Sequence, residues 1–118
     1  MNNALALRLA ALAGFLAVAL GAFGAHGLRR TLEETGRIAN WETATLYHLV
    51  HAVVLLALAL RSPVARLPFA LFGAGIVVFS GSLYVLALTN LKWLGAITPL
   101  GGLCLLGGWL AVAIRPRA

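Results

Sequence analysis

Polar residues divide the chain into four long apolar runs, approximately 9–27, 44–60, 67–89 and 93–114. Each is about long enough to cross roughly 30 Å of hydrocarbon as a helix rising about 1.5 Å per residue. Charges sit at the edges of the runs: Arg8 before the first, Arg29 and Arg30 after it, Arg61 closing the second, Arg115 and Arg117 beyond the fourth. The connections around Ser62–Pro63 and Asn90–Lys92 are too short for anything but hairpins, so consecutive helices run antiparallel. The pattern predicts an all-α protein, an up-down antiparallel four-helix transmembrane bundle, with residues 1–118 forming a single integral membrane domain. The first run has the basic start and small-residue exit of a cleaved signal, but its apolar part is longer than a usual signal core, and it reads as a retained span.

The longest connection, LRRTLEETGRIANWET from Leu28, admits two readings. One is a short interfacial helix, with Thr31 to Glu34 matching a capping box and Gly36 ending the turn. The other is a solvated loop whose charges mark the membrane edge. Asn40 is the expected cap of the second span, with Trp41 at headgroup depth.

Composition supports the membrane reading: 62% of the 118 residues are hydrophobic and 10% charged, with a mean hydropathy of +0.98, outside the range of ordinary soluble domains. The net charge of +6 comes from basic residues placed singly or in pairs at run edges, which suits anionic headgroups and argues against nucleic acid. Arg8, Arg61, Arg66, Arg115 and Arg117 fall on the side of the termini, against Arg29, Arg30, Arg37 and Lys92 opposite. This bias predicts cytoplasmic termini in a cytoplasmic (inner) membrane. Cys104 is the single cysteine, reads as a packing residue, and can form no internal disulfide.

Two sets of positions stand out within the spans. Gly14, Ala17, Gly21 and Gly24 step by three or four along the first run, and Gly101 and Gly108 lie a heptad apart in the fourth, as helix-packing positions or a homodimer face. The second set is polar: His26, Tyr47, His51, Ser80, Ser82, Tyr84 and Thr98, with His48 beside them. Counting depth along antiparallel helices places them in the membrane half away from the termini, and groups so placed should face inward, where they can find partners. His26 and His51 are offset by roughly 12 Å in depth; both lean toward their own helix N-termini and so toward each other, which suggests a shared water, ligand or tyrosine. Thr98 and Pro99 either start the fourth helix or kink it.

The segments GAFGAHGL, YHLVHA, FSGSLY and ITPLGG, with Trp109, closely resemble the domain of unknown function 423 family, the transmembrane protein 256-like four-span membrane proteins. The resemblance runs over nearly the whole chain. It implies an integral membrane protein with no established activity, and places His26, Tyr47, His51, Ser80, Gly81, Ser82, Tyr84, Thr98, Pro99, Gly101, Gly102 and Trp109 on motif positions. His48 falls outside the motif, since relatives can carry glutamine there.

The reading that asks least of these residues is a non-enzymatic bundle whose polar layer fixes helix register or docks a small ligand, a membrane-protein partner or a second copy. A small proton-coupled transporter would use the histidines as relays, but no span interior holds an Asp or Glu. A His-based metal or haem site would draw on His26, His48 and His51, with no carboxylate or thiolate at their depth. The expectation is therefore of no cofactor, no metal site and no catalytic residue.

Overall fold

The computed structural model describes residues 1–114; Arg115 and Arg117, counted above for orientation, lie outside the described residues. Six α-helices follow one another: α1 (Asn3–Ala25), α2 (Arg29–Thr35), α3 (Ile38–Ala59), α4 (Arg66–Gly75), α5 (Gly81–Thr89) and α6 (Thr98–Ile114). A π-helical turn, Ile76–Ser80, joins α4 to α5, and a 3-10 turn, Lys92–Ala96, precedes α6. Four stretches are long and apolar enough to span a membrane: Asn3–Ala25, Ile38–Ala59, Arg66–Thr89 and Lys92–Ile114. The result is the four-helix transmembrane bundle that the apolar pattern implies. α2 is the short helix between spans 1 and 2.

Packing runs mainly between neighbours, α1 on α3, α3 on the third span and the third span on α6, and the bundle is flattened, with Cα extents of 49 × 26 × 17 Å. Its core has two parts. Toward the termini, Ala6 and Ala10 of α1 meet Leu55 and Leu58 of α3, Phe69 and Phe72 of α4, and Leu105 of α6. Toward the α2 side, Leu32, Trp41, Ala44, Leu83, Tyr84 and Leu94 form the second part, and Phe79 packs against both.

Close backbone approaches fix the helix spacing, and they redistribute the small-residue positions. A Cβ at Gly101 would meet the backbone of Phe79 in the π-turn, and one at Gly108 the Phe72 ring at 2.7 Å, so both act as packing glycines. Gly14 and Gly21 do not: a Cβ at either meets nothing within 4 Å. The buried small residues of α1 are instead Ala6, Ala10, Ala17 and Gly24, the last of which would collide with the Trp41 indole if it carried a side chain. Trp41 is therefore a core residue, 3% exposed, and its Nε1–H donates to the Leu20 carbonyl at 2.9 Å. At the first turn of α3 the indole thus faces the bundle, where α1 offers a glycine seat and a carbonyl that accepts its N–H.

The helix ends differ in detail from the sequence signals. Gly36 closes α2 in the left-handed region at φ 71°, a conformation glycine adopts without steric cost. Thr31 lies inside α2, which has no side-chain cap; its neighbour Thr35 donates to the Ala87 carbonyl at 2.7 Å, tying α2 to α5. α3 begins before Asn40, with Arg37 at the cap position, so Asn40 accepts from the Arg37 guanidinium (3.4 Å) instead of capping the span. Asn3 donates to the carbonyls of Ala59 and Arg61, at 2.9 and 2.7 Å, fastening the start of α1 to the end of α3. α6 starts at Thr98, with Pro99 in its first turn, where a missing N–H leaves no bond unmade.

Candidate functional site

The polar residues of the spans pair with one another and with backbone, and each pair joins two helices or braces a turn. Ser80, 1% exposed at the end of the π-turn, donates to the Ala44 carbonyl at 2.8 Å. The wide turn matters here: it inserts an i→i−5 bond, Gly81 N–H to the Ile76 carbonyl, and so rotates the α5 residues relative to α4. Beyond it, the Ser82 and Thr98 hydroxyls lie 2.6 Å apart; one donates to the other, and the one that accepts passes its own hydrogen to a backbone carbonyl, Phe79 for Ser82 or Leu94 for Thr98. This pair holds the N-terminus of α6 to the third span.

The two histidines of α3 take different partners. His48 Nδ1 lies 2.8 Å from the Tyr84 hydroxyl, and the Tyr84 ring packs on Trp41 with centroids 4.7 Å apart. His51 has both nitrogens engaged, and the partners fix its protonation. A carbonyl only accepts, so Nδ1, 2.7 Å from the Tyr47 carbonyl, carries a hydrogen. An indole N–H only donates, so Nε2, 3.1 Å from Trp109 Nε1, presents its lone pair. His51 is thereby the neutral Nδ1–H tautomer, wedged between α3 backbone and α6, with its ring also against Phe72 at 5.6 Å. Among the described residues no buried side-chain nitrogen or oxygen lacks a partner.

Three expectations need correction. His26 is exposed at the C-cap of α1, outside the layer, because the helix ends at Ala25 and only the His26 backbone N–H turns back, to Ala22 and Phe23. His51 consequently reaches Trp109, not His26; α3 and α6 run parallel from the same side of the membrane, which brings two helices distant in sequence to the same level. Tyr47 is 42% exposed. It enters the layer through its backbone carbonyl, while its ring packs on Phe79 at 4.7 Å. His48, placed outside the motif, is as buried as His51, each 5% exposed. Sequence reasoning also passed over Trp109 as a partner: counted from the termini-side ends of their runs it lies about 8 Å in against about 14 Å for His51, so depth alone did not bring the two together.

Two grooves flank this layer. The first, of about 490 Å³, runs between α1 and the third span over α3; Leu9, Leu12, Leu16, Leu20, Phe69 and Gly73 line it, with His48 and Tyr84 as its polar residues. The second, of about 500 Å³, lies between α3 and α6 and includes Tyr47, His51, Phe79, Pro99, Gly102 and Trp109. Among the described residues no group of three or more His, Cys, Asp and Glu side chains gathers at a spacing that fits a metal ion.

Curated relatives of the chain bear the name UPF0382 membrane protein. One from Staphylococcus saprophyticus is 44% identical over 110 residues, covering 90% of this chain and 91% of the relative. The protein YwdK of Bacillus subtilis is 42% identical over 112 residues, covering 90% of each, and a Haemophilus influenzae relative is 43% identical over 112, covering 91% of this chain and 89% of its own. No solved structure matches the chain. The family model described as protein of unknown function (DUF423) matches residues 20–102, a stretch that contains α2, α3, the third span and the Ser82–Thr98 pair, and the chain belongs to that family.

Proposed function

We propose that the protein is a non-enzymatic membrane bundle in which the polar layer sets helix register and the lateral groove between α1 and the third span docks an apolar guest from the bilayer. The observation that carries this is the completeness of the internal pairing: His51, Ser80, Ser82 and Thr98 spend their hydrogen bonds on neighbouring helices and turns. A polar substrate entering the layer would have to displace those bonds, whereas the groove offers an apolar surface already open. Concave, mostly apolar sites with few polar groups are the usual form of a ligand site. The transporter and metal readings gain nothing from the geometry, since His26 stands outside the layer and both His51 nitrogens are occupied.

The same proposal places the protein in the cytoplasmic membrane with both termini inside. Single cysteines at Ser62 and Glu34, in a Cys104→Ala background, test this: a membrane-impermeant reagent should label Glu34→Cys from outside and leave Ser62→Cys unlabelled, and the reverse would overturn the orientation.

For the docking itself, the protein purified gently from its own membrane should carry a guest detectable by mass analysis. Gly73→Leu should displace that guest without lowering the melting temperature, because a Cβ at Gly73 meets nothing within 4 Å. A stoichiometric metal or a visible absorption band in the purified protein would overturn the reading.

A further inference from the structure

We infer that the guest is an anionic phospholipid of the leaflet on the side of the termini, with one acyl chain in the groove and its phosphate held by Arg8 and Arg66. The inference rests on the docking reading above and adds the chemistry of the guest.

Length is the first argument. The α1 wall of the groove extends from Leu9 to Leu20, about 16 Å at the helical rise. That is roughly half the 30 Å hydrocarbon thickness, and since the far end reaches His48 and Tyr84 in the opposite half, the groove suits one chain that enters from the termini side and runs past the midplane. It is poorly matched to a helix that crosses both leaflets.

Charge is the second. Arg8 lies one helical turn before the groove-lining Leu12, and Arg66 lies a heptad before Gly73 in α4; residues at those spacings share a helix face. Both arginines are exposed, and each stands just before, in α1 and α4, the residues that begin the groove's lining, Leu9 and Phe69. The chain has three acidic side chains in all, Glu33, Glu34 and Glu42, and they sit on α2 and the first turns of α3, at the opposite membrane face. Among the described residues no carboxylate lies on the face that holds Arg8 and Arg66, which leaves both charges open to a partner from outside the protein. A phosphate above an acyl chain is such a partner in the right place, with the long arginine side chains reaching up to headgroup level.

The test uses the full chain in nanodiscs made from equal parts phosphatidylglycerol and phosphatidylethanolamine, released into mild detergent and weighed intact by native mass spectrometry. The expected result is one retained lipid per chain, with phosphatidylglycerol favoured about tenfold. Arg8→Gln with Arg66→Gln should bring phosphatidylglycerol down to the level of phosphatidylethanolamine. Gly73→Leu or Leu12→Trp should expel both lipids, while Phe15→Trp, on the same helix at a site 70% exposed and outside the groove, should change nothing. Equal retention of the two lipids, untouched by the arginine substitutions, would overturn the anionic guest and leave the docking groove standing. Retention unaffected by Gly73→Leu and Leu12→Trp would overturn both. A dimer that carries no lipid and dissociates on Gly73→Leu would give the groove to a second copy and likewise overturn the proposal.

Discussion

One turn apart on α3, His48 and His51 open on different grooves and are held in different ways. His51 lies between a pure acceptor, the Tyr47 carbonyl, and a pure donor, the Trp109 indole, and only one tautomer satisfies both. His48 meets a tyrosine hydroxyl, which can donate or accept, so that partner alone does not fix its tautomer, and its second polar neighbour is the Ala13 backbone of α1. Burial is the same for both, at 5% exposed. Position in a buried layer therefore does not measure how tightly a residue's chemistry is specified; the donor and acceptor character of its partners does. The contrast bears on the resemblance drawn from the sequence, which implies His51, and not His48, as a motif position. A glutamine amide can serve a tyrosine hydroxyl in place of His48, whereas the simultaneous donor and acceptor geometry at His51 is hard to reproduce.

The sharpest way to break the comparison is His51→Leu. It leaves the Trp109 N–H without an acceptor on an apolar span surface, together with the Tyr47 carbonyl that His51 served, a cost of about 1–3 kcal/mol, read as a lowered melting temperature in detergent. Trp109→Phe should cost less, about 1 kcal/mol, because the six-membered ring can keep its edge contact with Phe72 while the donor alone is lost. Smaller again is His48→Gln, expected at about 0.5 kcal/mol or below, since a polar contact to Tyr84 survives. A loss equal to that of His51→Leu would mean that the two histidines act together. The smallest expected effect is the coupling between them: with no shared hydrogen-bond partner, the His48→Gln and His51→Leu losses should add to within about 0.5 kcal/mol in a double-mutant cycle. A larger coupling would join the two sites into one.

The four spans were legible because apolar length and edge charges report the membrane directly, whereas the cap and turn signals around α2 left a helix and a loop both open. The polar layer was legible in part. Counting along a helix gives depth, and depth placed Ser82 and Thr98, now paired, in the same half of the membrane. It does not give direction around the helix axis, which decided the remaining partners. The π-turn at Ile76–Ser80 rotates everything after it, and no spacing rule in FSGSLY announces that turn. The inward direction of Trp41 was hidden because a tryptophan facing lipid and one seated on a glycine look alike without knowledge of the facing helix. For His26 the error lay in the helix end: one residue past Ala25, the side chain leaves the bundle.

The account depends most on the polar layer being an internal lock, with His51 held by opposed partners. Nitrogen NMR of the imidazoles in the ¹⁵N-labelled protein, embedded in bilayers at pH 8, reads the tautomer directly. The account predicts His51 as the Nδ1–H form, with its Nε2 signal displaced on Trp109→Phe and unmoved on Tyr84→Phe. An Nε2–H tautomer, or an Nε2 signal indifferent to the loss of the Trp109 indole, would contradict it.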